Sequence, residues 1–330
     1  MSKKILVIGS NSFSGSNFCR YLLDIGFDVF GVSRSNEPDS VFLPYKWGPN
    51  CSNFRFYKVD LNHDLEKLEK LIREEKISII ANFAAQSMVG QSWEKPEDWI
   101  QTNILALLGL IKILKHLDFI DCYAHVTTPE VYGSTDGWIK EHNCFKPSTP
   151  YAVSRASGDM LMQIYRESFN IPYFATRAAN VYGAGQQLYR IIPRTILYFL
   201  LGKKLQLHGG GVSKRSFISI DDVSRATLML MERPDFGETF HISTNEIVSI
   251  KELVTLISVH MNIDFEKYVE VSEDRIGKDN LYLLNSEKIR KRTGWKESVT
   301  LNEGIKNTIS WVTKNLAKLK QLPKNYVHKS

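Results

Sequence analysis

The chain is expected to be an α/β protein, with a doubly wound parallel sheet and a smaller C-terminal lobe. Three observations lead there: short apolar runs alternate with helix-period stretches, the first run ends in a glycine-bearing loop, and the alternation weakens after about Ala179. The strand-like runs lie at residues 5–8, 28–32, 54–57, 77–83, 123–127 and 173–177. Between them apolar residues recur three and four apart, as in Phe18, Leu22 and Leu23 or in Leu105, Leu108, Ile111 and Leu114. That is the period of a helix burying one face. Strands separated by such helices form right-handed βαβ units and a parallel sheet covered on both faces. Gly, Pro and basic residues then gather over 183–211, where a second lobe is expected to begin.

A chain of 330 residues, 43% hydrophobic, can bury the core of one large domain with an added lobe. Its net charge of +6 comes from scattered Lys and Arg, unlike the basic block that grips nucleic acid, and suits a small polyanionic ligand better. Cys19, Cys51, Cys122 and Cys144 lie far apart with no CxxC or Cys/His spacing, so they are expected to be buried thiols, and no metal site is implied. The start passes from two lysines into a short apolar run ending at Gly9, without the length or cleavage site of a signal peptide. Nowhere do about 18 apolar residues run together, so no membrane association is expected and a cytoplasmic protein is.

The first strand runs into Gly9, Ser10, Asn11, Ser12, Phe13, Ser14 and Gly15, with a helix behind. Glycines there let the backbone turn sharply and approach a pyrophosphate at a helix N-terminus, the dinucleotide loop of a Rossmann-type domain. Gly9, Ser12, Phe13 and Gly15 are therefore candidate cofactor residues, with Ser12 where a middle glycine is usual. After the second strand stand Ser33, Arg34 and Ser35 in place of the acidic residue that meets an unphosphorylated ribose. A guanidinium flanked by hydroxyls suits a 2′-phosphate, so NADP is favoured over NAD. The expected division is 1–179, joined by 216–245, as the NAD(P)-binding Rossmann domain, with 180–215 and 246–330 as the substrate-binding lobe.

Further landmarks follow in order. They are Asp60-Leu61, Asn82-Phe83-Ala84-Ala85-Gln86-Ser87, His125-Val126-Thr127-Thr128-Pro129-Glu130-Val131-Tyr132-Gly133, and Tyr151-Ala152-Val153-Ser154-Arg155. Beyond them lie Arg177-Ala178-Ala179-Asn180-Val181-Tyr182-Gly183 with Ile192-Pro193, Arg215-Ser216-Phe217-Ile218, and Asp274-Arg275-Ile276-Gly277-Lys278-Asp279. Together they resemble the extended short-chain dehydrogenase/reductase superfamily, particularly its nucleotide-sugar 4,6-dehydratases, over nearly the whole chain. Gln86-Ser87 is closer to GDP-mannose dehydratases, and the 180–193 stretch to dTDP-glucose dehydratases. The resemblance implies cofactor contacts at Asp60, Leu61, Ala84, Ala85, Gln86, Tyr151 and Arg155. It implies contacts with a nucleoside-diphosphate sugar at Gln86, Ser87, Thr128, Asn180, Arg190, Arg215 and Arg275.

A tyrosine four residues before a cation on a helix puts both side chains on one face. Lowering a phenol from about 10 toward neutrality needs roughly 3 units, which a cation and a positively charged nicotinamide together could supply. Tyr151 would then take the proton of the sugar's C4 hydroxyl as hydride leaves C4. Arg155 stands where the superfamily has lysine. It keeps the charge, but its planar fork puts the usual ribose contact in doubt. The resemblance makes Glu130 the base at C5, with Thr128 binding the C4 oxygen. Pro129 replaces the aspartate that protonates the leaving hydroxyl in dTDP-glucose dehydratases, so that proton must come from Glu130, another group or water.

The activity so implied is a 4,6-dehydratase: C4 oxidation, C5 deprotonation with loss of water, and hydride return to C6. A 4-epimerase would need Tyr151 but no C5 base, and an NDP-uronic acid decarboxylase and a non-enzymatic sugar-nucleotide binder are the other readings. Relatives pair through two helices, expected here at 99–117 and 151–169. Their apolar positions, such as Leu107, Ile111, Met160 and Tyr165, could bury one face against the sheet and another against the partner of a homodimer.

Overall fold

The computed structural model describes residues 4–135, 137–232, 235–273 and 283–329. Seven strands, β1 (Lys4–Ile8), β2 (Asp28–Ser33), β3 (Phe54–Lys58), β4 (Ile79–Asn82), β5 (Cys122–Val126), β6 (Tyr173–Ala178) and β7 (Thr239–Ile242), form one sheet in the order β7-β6-β5-β4-β1-β2-β3. All six pairings are parallel. β1 is apolar throughout after Lys4, and Ile5, Leu6 and Val7 are fully buried, as a central strand covered on both faces requires. One face packs Ile5, Val7 and Phe174 against Phe18, Leu22, Val223 and Leu230. The other packs Leu6, Ile80 and Tyr123 against Leu68, Leu110, Ile111 and Leu114.

Six strands lie within a residue or two of the expected runs, the fourth being shorter than 77–83 because Ile77, Ser78 and Phe83 fall outside it. The seventh comes from the 216–245 stretch and adds beside β6 through Phe240 and His241. The helix Ile220–Glu232 precedes it and packs on the same face as the first helix, Phe13–Asp24. A separate core holds the helices Ile191–Leu200, Ile250–Met261 and Leu301–Lys314 together through Ile196, Leu253, Ile305 and Trp311. Asp222, fully buried on the 220–232 helix, accepts from Arg225, from the Ser298 hydroxyl and from the backbone N–H groups of Ser298 and Val299, so it anchors the chain leading into the last long helix.

One expectation is corrected. Cys19 and Cys122 are buried, but Cys51, in a short 3-10 turn (Pro49–Asn53), and Cys144 lie outside the sheet and are exposed. Leu107 and Ile111 belong to the core under the sheet, on the sheet-facing side expected of that helix. Among the described residues, no helix is long and apolar enough to cross a membrane.

Candidate active site

Because all seven strands are parallel, the loops after β1, β2, β4 and β5 open on one edge of the sheet, where strand order reverses and ligands bind in such folds. Gly9 has φ +84°, and a Cβ there would stand 2.8 Å from the Ala84 nitrogen, so the first and fourth loops touch through a position that only glycine fills. A Cβ on Gly15 would meet the Gly9 carbonyl at 2.2 Å. Ser12 does not act as a glycine substitute but as the helix N-cap, its hydroxyl accepting from the Gly15 N–H at 3.1 Å. Phe13 is buried behind it.

At the end of β2 the Ser33 hydroxyl accepts from the Asn11 N–H at 3.0 Å, tying the second loop to the first. Arg34 donates through Nη2 to the Lys329 carbonyl at 2.7 Å, and its buried Nη1 has no partner among the described residues. An orphaned guanidinium N–H at this position fits a phosphate or ribose oxygen. The next carboxylate along the chain, Glu37, is engaged by Tyr45 and Lys46. After β3, Asp60 accepts from the Asn62 N–H and Leu61 is buried. Ala84 and Ala85 follow β4, with the Ala84 N–H bonded to the Asn82 side chain; Gln86 is buried, and Ser87 is exposed.

Thr128 caps a short turn, Pro129–Tyr132, accepting from the Glu130 N–H at 3.3 Å. Pro129 takes the first position of that turn, where the missing N–H costs nothing, and is buried with no acidic function to offer. The helix Pro150–Phe169 is capped by Thr149, whose hydroxyl accepts from the Ala152 N–H at 3.1 Å. It brings Tyr151 and Arg155 to the same place, 8% and 5% exposed. Tyr151 hydrogen-bonds Thr128 and feels the charges of Glu130, Arg155 and Arg190, so the four candidate catalytic side chains converge.

The expected lowering of this phenol combines a cation with a positively charged nicotinamide, and the protein's own groups by themselves do not produce it. Burial raises the Tyr151 pKa above its ordinary value, and the Glu130 charge raises it further, outweighing Arg155, the Thr128 hydrogen bond and Arg190. The cation alone does not acidify this phenol. Arg155 is also held differently from a free ammonium, since its Nη2 donates to the Val126 carbonyl at the end of β5.

Sequence reasoning missed two groups. Asn103, on a π-helical turn (Gln101–Ala106), accepts from the Gln86 N–H at 2.9 Å and donates to the Gln86 carbonyl at 3.0 Å and the Ser154 hydroxyl at 2.9 Å. It clamps the loop after β4 to the Tyr151 helix, and the polar Gln101-Thr102-Asn103 run ahead of the apolar residues 104–108 was the available signal. Behind Arg155, Asp159 accepts from Arg177 at 2.6 Å; Arg177 donates to Tyr132, whose hydroxyl meets His241 Nε2 at 2.8 Å. Asp159 is pulled down to about 2: burial opposes this, but the His125 ring, its Nε2 3.4 Å from Asp159 Oδ1, and the Arg177 charge prevail. Burial and the Arg177 charge push His241 down to about 3.

Of the substrate-lobe candidates, Asn180 opens a short strand (Asn180–Tyr182) paired with Phe217–Ser219. Arg190 is exposed at the N-cap of the Ile191–Leu200 helix, 5.5 Å over the Tyr189 ring. Arg215 donates to the Lys214 carbonyl. Arg275 lies outside the described residues.

The family profile described as GDP-mannose 4,6 dehydratase matches residues 6–308. The dTDP-D-glucose 4,6-dehydratase of Mus musculus is 33% identical over 331 residues, covering 98% of this chain and 92% of its own. A trifunctional UDP-glucose 4,6-dehydratase/UDP-4-keto-6-deoxy-D-glucose 3,5-epimerase/UDP-4-keto-L-rhamnose-reductase of Arabidopsis thaliana is 32% identical over 95% of this chain; the chain spans about half (47%) of that longer protein. The dTDP-glucose 4,6-dehydratase from Bacillus anthracis, solved in complex with NAD, superposes with a TM-score of 0.87 at 28% identity, covering 97% of this chain and 99% of that one. UDP-glucuronic acid 4-epimerase from Bacillus cereus, solved with UDP-glucuronic acid and NAD, superposes at 0.84 with 27% identity, covering 94% and 99%.

Proposed function

Because the chain belongs to the GDP-mannose 4,6-dehydratase family, we propose that it converts a nucleoside-diphosphate hexose to the 4-keto-6-deoxy sugar nucleotide. The observation that carries this reading is the convergence of Thr128, Glu130 and Tyr151, a phenol and a carboxylate close enough to feel each other's charge. A nicotinamide dinucleotide held there would supply the hydride-transfer chemistry, oxidising C4 and giving the same hydride back to reduce C6. Tyr151 takes the C4 hydroxyl proton, with Thr128 holding the same oxygen and Arg155 offsetting the negative charge that develops on the phenol. The resulting ketone acidifies the C5 proton, and Glu130 removes it as the C6 hydroxyl departs. With proline at 129, the proton for that hydroxyl comes from the protonated Glu130 or from water.

Gly9, Ser12, Phe13, Gly15, Asp60, Leu61, Ala84, Ala85 and Gln86 form the dinucleotide cradle in this reading, with Tyr151 and Arg155 beside it. Ser33 and Arg34 meet the adenosine ribose, where the unsatisfied Arg34 Nη1 suits the 2′-phosphate of NADP. Denaturing the purified protein and separating the released nucleotide decides between NADP and NAD. Gln86, Ser87, Asn180, Arg190, Arg215 and Arg275 are assigned to the sugar nucleotide, and the two lobes to cofactor and substrate as divided above. A homodimer is assigned to the exposed stripe of Val153, Met160 and Ile164 with Ile100 and Leu105 beside it, each about half exposed.

The epimerase alternative rests on the likeness to the Bacillus cereus enzyme, yet it leaves Glu130 without a task. Incubation with a panel of nucleotide sugars followed by mass spectrometry separates the readings. Loss of water supports the dehydratase, loss of carbon dioxide a decarboxylase, and unchanged mass with an altered sugar configuration an epimerase.

A further inference from the structure

The last residues run back across the candidate cofactor cleft. Leu319 is fully buried and Leu322 packs beside it in the core of the C-terminal lobe, fixing where the segment starts. Arg194 then holds it by donating to the Lys324 carbonyl at 2.9 Å and to the Asn325 side chain at 2.8 Å. Tyr326 meets Tyr189 edge to face, with ring centroids 5.5 Å apart. His328 stacks on Trp99 at 5.1 Å, with the rings 5° from parallel, and its Nε2 lies 2.6 Å from Asp98 Oδ2. One residue later the Lys329 carbonyl accepts from two side chains at once, Gln86 Nε2 at 2.6 Å and Arg34 Nη2 at 2.7 Å.

Those two donors come from the loops after β4 and β2, the strands flanking β1 in the sheet. A carbonyl that bridges them lies across the loop after β1, the place where a dinucleotide pyrophosphate would rest on the helix N-terminus. Both donors are also residues assigned above to cofactor contacts. An N–H committed to a peptide carbonyl is not free for a ligand oxygen, and the two groups cannot fill one volume.

We propose that residues 323–329 form a C-terminal strap that competes with the nicotinamide dinucleotide for Arg34 and Gln86, so that cofactor binding requires the strap to leave. This rests on the cofactor reading given above. Its ordered contacts on both lobes give the seated strap a definite free energy, and a strap seated nine times in ten weakens the apparent cofactor affinity about tenfold.

The test compares the full chain, a chain ending at Leu322 and the His328→Ala variant, each freed of nucleotide with charcoal and titrated with NADP and NAD. The shortened chain is expected to bind about tenfold more tightly, His328→Ala to move the same way by a smaller factor, and a synthetic peptide of residues 321–330 to reverse the gain in the shortened chain. In the full chain, trimming by carboxypeptidase followed by intact mass should quicken when dinucleotide is added, because the tail is released. Equal or weaker binding by the shortened chain with unchanged affinity in His328→Ala overturns the competition, as does protection of the tail by dinucleotide, which would make the strap a cover over bound cofactor. If no form binds either dinucleotide, the cofactor reading itself falls and the competition falls with it.

Discussion

The hydroxyl of Thr128 joins the phenol of Tyr151 to the turn that carries Glu130, bonding the one and accepting the backbone N–H of the other at 3.3 Å. Thr128→Val keeps the shape and removes both bonds. Turnover is expected to fall roughly 10- to 100-fold from loss of one positioned hydrogen bond at the reacting oxygen, with substrate affinity changed far less. Steady-state kinetics that show a raised KM with an unaltered kcat would assign Thr128 to binding alone.

Gly15 tests the cradle. The Cβ of Gly15→Ala would stand 2.2 Å from the Gly9 carbonyl, so the loop and helix must move apart. A loss of about 1–3 kcal/mol in stability is expected, together with loss of bound dinucleotide. Thermal unfolding and nucleotide content of the purified variant measure the two effects.

Ile164 lies on the exposed stripe with Val153 and Met160, and is itself 52% exposed. Ile164→Asp is expected to leave the fold intact and to yield a monomer in light scattering at micromolar concentration, where the unchanged chain is expected to run as a dimer. A monomeric unchanged chain would refute the assignment.

Acid should destabilise the protein through His241. Its folded pKa is about 3, against an ordinary value near 6.5. The unfolded chain therefore binds the extra proton between these values, and stability is lost as pH falls from about 6.5 toward 3. The loss is on the order of 4 kcal/mol across that window. His125, also lowered by burial, acts in the same direction. Urea midpoints should drop between pH 7 and pH 4, and His241→Gln should flatten the drop while lowering stability at pH 7 because the Tyr132 contact is altered.

The sheet was legible because six of its strands announce themselves by local apolar runs, whereas β7, only four residues long, follows a stretch rich in charge and turn residues. Tyr151 and Arg155 stood out as candidates by their four-residue spacing on a helix, whereas Thr128 and Glu130 were picked out by the family resemblance of the loop after β5. The direction of the Tyr151 shift was not legible, since it depends on how deeply the phenol is buried and how near Glu130 lies, both products of packing. Asn103 and the strap were hidden for a related reason: their partners, Gln86 in both cases, are distant in sequence, by 17 and 243 positions.

The central claim is that Glu130 and Tyr151 act on different bonds, and Glu130→Gln tests it most directly. The amide keeps the size of the side chain and cannot take the C5 proton, so water loss should fall by roughly 10² to 10⁴ while oxidation at C4 persists. Adding a nucleotide sugar that the unchanged protein dehydrates should then leave the cofactor reduced, seen as a lasting nicotinamide absorbance band, whereas Tyr151→Phe should show neither band nor product. Dehydration by Glu130→Gln at the unchanged rate, with no reduced cofactor, would contradict the account.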